Sequence, residues 1–231
     1  MTEEELELLV EDHKAAVRVD VPRGLLIDFA ERVKLAARQS KLTVVRESRP
    51  TADEIRLAPQ RANKVAGLIR HEYVDEVFSA ICDRFEGERL GSVLVGEGKD
   101  EKAKPLFLST YRFGGTLLGF ASHFHRDDLP RLNKTRKALC SLNAGLLPDM
   151  FRPPEVFTEN ERFAVLMLQR SPSDIGAYSS VSIGIVDARG IQYVFQEELS
   201  DFLSGYGSAP SRVERRTIRL RERKKGSERQ G

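Results

Sequence analysis

Cysteine is scarce in this chain: Cys82 and Cys140 are its only two, and no CxxC spacing links them. Both fall within helical apolar patterns, so they are expected as buried small side chains rather than as metal ligands or a disulfide. No apolar run approaches the length of a membrane span, and the opening MTEEELELLVEDHK lacks the basic start of a signal peptide. The expectation is therefore a cytoplasmic protein with no membrane partner. Neither GxGxxG nor GxxxxGK[ST] occurs, so the Gly96-Glu97-Gly98 turn is not a phosphate loop of either kind. A GxSxG elbow is absent too, which removes the usual strand-to-helix nucleophile.

What is present is enough apolar sequence for a sizeable core. Of 231 residues, 40% are hydrophobic and 31% charged, which suits a globular body with a polar surface. The formal charge of +2 hides an asymmetry. Residues 211–231 hold nine Lys or Arg against three Glu, a local balance of +6. The rest of the chain therefore carries about −4, the difference from the whole-chain +2. Beyond Gly205 the apolar pattern stops, and 206–231 reads as a disordered basic tail.

Three helices are predicted first, at 2–17, 22–40 and about 60–86. Leu25, Leu26, Phe29, Val33 and Ala37 recur at helical spacing in the second, with Pro22 at its start. The third carries Val65, Ile69, Tyr73, Val77, Ile81 and Phe85 four apart, with Leu68, Val74 and Phe78 widening the stripe, and Gly87 is read as its end. A strand at 90–95, a charged turn and a hairpin at Gly114-Gly115 together read as a three-stranded meander over 90–126. A two-residue turn sets Phe113 opposite Thr116, Tyr111 opposite Leu118 and Leu106 opposite His123. One hairpin face then holds Phe107, Tyr111, Phe113, Leu118, Phe120 and Phe124 as core. The other holds Leu108, Thr110, Arg112, Leu117, Gly119, Ala121, His123 and His125, and reads as a cleft.

Asp127 or Asp128 is expected to cap a helix over about 129–144, with Leu132, Ala138, Leu139 and Leu142 inward and Arg131, Lys134, Arg136 and Lys137 outward. Arg162–Arg170 is apolar on both faces and reads as a central strand. A hairpin turning at 187–190 follows, with strand to about Gln196 and helix to Leu203. The fold class is thus α+β: a mainly antiparallel mixed sheet of about six strands in two hairpin groups, flanked by helices. Its division is an N-terminal helical extension (1–56), an α+β core (57–205) and the basic tail (206–231).

Two histidine patterns carry candidate chemistry. His71-Glu72-Tyr73-Val74-Asp75 departs by one residue from the HExxH of zinc proteases, and no third ligand follows at a suitable distance. The second, His123-Phe-His125-Arg-Asp127-Asp128, lies at a strand exit. Its HxHxD spacing is similar to that of metallo-β-lactamases, but that site needs further histidines and none follows His125.

Taken together, IRHEYVDEVFSAICDRFEGERLGSVLVG (69–96) and LLGFASHFHRDDLPRLNKTRKAL (117–139) resemble the opening helix and strand, and the HxH strand and helix, of the JAB/MPN family. Active members of that family are zinc-dependent peptidases and isopeptidases. The resemblance implies zinc held by His123, His125 and Asp128, with Glu88 taking the proton of the attacking water. The family's serine and aspartate positions after HxH are Asn133 and Arg136 here, and the proline after HxH is Arg126. A protein substrate would accompany that activity.

The alternative is a non-enzymatic binding or scaffold module. Its tail cations Arg212, Arg215, Arg216, Arg219, Arg221, Arg223, Lys224 and Lys225 would contact nucleic acid or an acidic protein partner. No aromatic residues are interleaved among them, so such binding is expected to be electrostatic and weakly selective.

Overall fold

The computed structural model describes residues 3–47, 59–95, 102–105, 109–123, 125, 128–143, 161–171, 174 and 177–207. Three long helices come first, α1 (Glu3–Asp20), α2 (Arg23–Glu47) and α3 (Pro59–Arg84). Five short strands follow, β1 (Glu88–Arg89), β2 (Ser92–Val95), β3 (Lys102–Pro105), β4 (Tyr111–Phe113) and β5 (Thr116–His123). Then come α4 (Lys134–Ser141), β6 (Arg162–Arg170), β7 (Tyr178–Val186), β8 (Tyr193–Glu198) and α5 (Leu199–Ser204). The class is α+β. A six-stranded sheet of order β1-β4-β5-β6-β7-β8 is antiparallel except where β5 meets β6 in parallel, and β2 and β3 pair separately.

The β4–β5 turn is the expected one: Phe113 faces Thr116 and Tyr111 faces Leu118. Gly114 has φ of 55°, and α1 docks on it, because Asp20 lies where a Cβ would sit and accepts from Thr116 Oγ1 at 2.7 Å. The partner expected for His123, Leu106, lies outside the described residues. Instead of one three-stranded meander, β2 and β3 form their own ribbon, and the short β1 takes the place beside β4.

Each face of the sheet is covered. On one, Leu25, Leu26, Phe29 and Val33 of α2 and Val74, Phe78, Ile81 and Cys82 of α3 share a single core with Tyr111, Leu118, Phe120, Leu166 and Ile183. Phe78 sits at its centre, with ring centroids 5.6 Å from Phe29, 5.7 Å from Tyr111 and 5.3 Å from Phe120. The helices within 1–56 are therefore built into the same core as the sheet. A parallel β5–β6 pair needs a crossover, and this one carries α4. Ala138, Leu139 and Cys140 of α4 cluster with Leu117, Ala121, Val165 and Met167 on the other face.

That second layer corrects the expectation of an open cleft. Leu117 and Ala121 are fully buried, because α4 covers the alternating positions between the core-facing ones. The helix itself is shorter than 129–144. Its cap is Asn133, whose side chain accepts from the Arg136 N–H at 2.8 Å, and not Asp127 or Asp128. Arg136, expected outside, is buried, whereas Leu132 is exposed. At the end of α3 the left-handed residue is Glu86, not Gly87. Gly87 N–H reaches back to Cys82 O and Glu86 N–H to Asp83 O, a Schellman closure. Gly87 is needed for another reason: a Cβ there would meet Phe113 at 2.5 Å.

Candidate functional site

His123 is the last residue of β5 and pairs with Gln169 of β6. Alternation puts it on the α4 side, and it is buried. Its Nδ1 contacts the backbone carbonyl of His125. A carbonyl can only accept, so Nδ1 is the donor in this contact. Nε2 is buried and has no hydrogen-bond partner among the described residues.

His125 and Asp128 close a tight turn immediately beyond. The His125 N–H donates to Asp128 Oδ2 at 3.1 Å, and the Asp128 N–H donates to the His125 carbonyl at 3.1 Å. Tyr193 Oη on β8 donates to the Asp128 carbonyl at 2.8 Å. His123, His125 and Asp128 are thus brought together, but as a clasp that fastens the exit of β5 to β8.

Glu88 is not part of this group. It faces Arg112, which in turn faces Leu117, so six residues of β5 separate its register from His123. At ~3.3 Å per residue that is about 20 Å along the strand. Glu88 is exposed and pairs with Arg112 Nη1 at 3.3 Å.

Zinc needs three or four donors converging on one point. His123 offers one suitable nitrogen. The His125 side chain is exposed, and the carboxylate of Asp128 is held by the His125 N–H. Among the described residues, no group of three or more His, Cys, Asp and Glu is arranged to hold a metal ion. The described residues do not make the donor set that zinc requires.

Arg136 adds an electrostatic obstacle. Its guanidinium donates to the Arg131 carbonyl at 2.8 Å and to the Phe120 carbonyl at 3.4 Å, three residues before His123 on the same strand. Burial lowers its pKa from the ordinary arginine value, Cys140 opposing in part. A metal ion close by would add like charge in a poorly solvated layer. The His71–Asp75 pair is also divided: His71 lies 5.3 Å from the Phe120 ring, while Asp75 Oδ2 accepts from Ser109 Oγ at 2.8 Å. The tail cations from Arg212 to Lys225 lie outside the described residues.

Sequence reasoning missed a different cluster, on the opposite face of the same strand end. Ser122, Arg170, Tyr178 and Arg70 meet there. The signal was available. Arg70 opens the buried α3 series Arg70, Val74, Phe78 and Cys82, and Arg170 continues the core-facing alternation Leu166, Leu168. An arginine at a core position is unusual and points to chemistry or pairing.

No protein-family model, curated protein or solved structure matches the chain. Among the described residues, no helix is long and apolar enough to cross a membrane.

Proposed function

We propose that the chain is a non-enzymatic binding module whose basic tail contacts the phosphate backbone of a nucleic acid. What carries this reading is the clasp. The Asp128 carboxylate, which a JAB-like site would turn to zinc, is held by the His125 N–H, and the His123 Nδ1, the His125 backbone and the Asp128 carbonyl fasten the exit of β5 to Tyr193 of β8. The remaining concentration of charge is the +6 segment 211–231, with Arg212, Arg215, Arg216, Arg219, Arg221, Arg223, Lys224 and Lys225 at its centre. Cations of that density bind polyanions by releasing condensed counterions. The test is retention of the full-length chain on immobilised DNA, RNA or polyglutamate, against a variant with those eight cations changed to Gln. Retention on nucleic acid that the variant loses supports the reading. Retention on polyglutamate alone moves the partner to an acidic protein, and equal retention of both chains rejects the tail.

One observation favours the second reading, a zinc-dependent amide or isopeptide hydrolase: the buried, unpartnered Nε2 of His123, whose Nδ1 is oriented by a carbonyl as metal-bound imidazoles are. Elemental analysis of protein purified without a histidine tag decides it. About one zinc per chain, lost in the His123→Ala/His125→Ala double variant, would establish the metal site.

A further inference from the structure

α1 gives only one side of its length to the core. Val10 and Val17 pack inward, while Glu4, Leu8, Glu11 and Val19 recur at helical spacing on the outside, with Glu7 and Asp12 beside them. Leu8 is 50% and Val19 78% exposed. Glu4, Glu7 and Asp12 have no charged partner among the described residues, and Glu11 shares Lys14 at 2.8 Å. Residues 1–12 hold six carboxylate side chains and no Lys or Arg, a balance of −6. The outer face of α1 is thus an acidic stripe with two large apolar side chains in it.

The chain comes back to this helix just before its basic segment begins. Arg18 Nε donates to the Phe202 carbonyl at 3.1 Å, and its guanidinium lies where a Cβ on Gly205 would sit. Tyr206 Oη donates to the Val21 carbonyl at 2.7 Å. Gly207, the last described residue, therefore leaves the fold at the C-terminal end of α1. Arg212 is five residues further on, a reach of about 17 Å, and Lys225 is eighteen residues on, up to ~60 Å. Along α1, Asp12 is about 14 Å from Val21 and Glu4 about 26 Å. The cations can therefore lie along the whole stripe.

The two surfaces match in sign and in pattern. The +6 of residues 211–231 meets the −6 of residues 1–12, and Val213, Ile218 and Leu220 stand among the cations as Leu8 and Val19 stand among the carboxylates. Exposed ion pairs contribute little one at a time. Several pairs made by a segment tethered beside its partner act at a high effective concentration.

We propose that the outer face of α1 is the docking surface of this chain's own basic segment, residues 212–225, and that the contact holds the segment away from nucleic acid. The docking is a matter of this chain alone. The masking rests on the reading of the tail as the nucleic-acid contact.

The test begins with zero-length carbodiimide coupling of the full-length protein at low salt, which joins a lysine amine to a carboxylate touching it. Peptide mapping is expected to find Lys224 or Lys225 joined to Glu4, Glu7, Glu11 or Asp12, and to lose these products at about 1 M salt, where charges are screened within ~3 Å. An equal mixture of light and isotopically heavy chains should give no mixed pairs. Oligonucleotide binding then reads the masking. The variant Glu4→Gln/Glu7→Gln/Glu11→Gln/Asp12→Asn is expected to bind ~3–10-fold tighter than wild type at low salt, because more of the segment is free to bind. A control that removes as much charge from α2 and α3, Glu31→Gln/Glu72→Gln/Glu76→Gln/Asp83→Asn, should stay within about twofold of wild type. Joined products absent from α1, spread alike over other exposed carboxylates, or found only between chains overturn the docking. Equal affinities for the α1 variant and the control overturn the masking. Joined products on α1 in a chain that binds no oligonucleotide, in wild type or variant, reject the nucleic-acid reading and leave the docking surface standing.

Discussion

Asn143 and Phe163 exchange two hydrogen bonds. The Phe163 N–H donates to Asn143 Oδ1 at 2.7 Å, and Asn143 Nδ2 donates to the Phe163 carbonyl at 3.1 Å. The same Nδ2 also reaches the Val186 carbonyl at 2.7 Å. One buried amide therefore fixes the chain beyond α4 to two neighbouring strands. Asn143→Ala leaves those backbone groups buried and unpaired, so it is expected to cost about 2–3 kcal/mol. In a chain of this size that is a fall in Tm of roughly 4–12 °C. Thermal and urea unfolding monitored by circular dichroism check it, and an unchanged midpoint would contradict it.

Phe78 touches the rings of Phe29, Tyr111 and Phe120, and so joins α2, α3 and the β4–β5 hairpin. Phe78→Ala removes the centre of that cluster and should cost about 3–5 kcal/mol. Phe78→Leu keeps most of the volume and should cost less. Urea denaturation curves for the two variants give both values, and a loss in Phe78→Leu as large as in Phe78→Ala would contradict the expectation.

Two glycines are expected to respond in opposite directions. A Cβ at Gly87 would lie 2.5 Å from Cζ of Phe113, so Gly87→Ala should destabilise by about 1–3 kcal/mol. At Gly67, inside α3, a Cβ meets nothing within 4 Å, and Gly67→Ala should stabilise by about 0.5–1 kcal/mol. Paired unfolding curves test the sign at each position.

The two thiols are expected to be inert in the folded protein. Burial pushes Cys140 up to about 11, with Arg136 opposing, and burial raises Cys82 as well. The thiolate is the reacting form, so a thiol reagent at pH 8 should label neither cysteine until denaturant is added. Rapid native labelling would contradict this. The sign of the pH effect follows. An unfolded chain ionises its thiols first, from about pH 9 upward, so it binds fewer protons than the folded chain there. Stability should then fall with rising pH, and each Cys→Ala variant should flatten part of that slope.

Much of the fold was legible because each element obeys a local rule. The unbroken apolar run in Arg162–Arg170 marked a strand covered on both sides, and Gly114-Gly115 set the hairpin register correctly. The site was less legible because the meaning of a polar residue depends on what covers it. His123 and Arg136 have polar neighbours in sequence, yet His123 at the end of β5 and Arg136 on α4 are both buried. The HxH spacing was visible, but not that the Asp128 carboxylate would bond the His125 backbone. Arg70 lay beside a helical stripe counted from Val65 through Ile69 and Tyr73, one position away from the buried series Arg70, Val74, Phe78 and Cys82.

The most direct measurement of the account is the binding of a labelled oligonucleotide by fluorescence anisotropy, repeated at several salt concentrations. The wild-type chain is compared with the variant carrying Gln at Arg212, Arg215, Arg216, Arg219, Arg221, Arg223, Lys224 and Lys225. For the wild type, log K is expected to fall linearly with log salt, by about 0.9 per cation engaged on duplex DNA and ~0.7 on single strands. The variant is expected to lose both the affinity and the slope. Wild-type binding that ignores salt, or a variant that binds as the wild type does, would contradict the nucleic-acid reading.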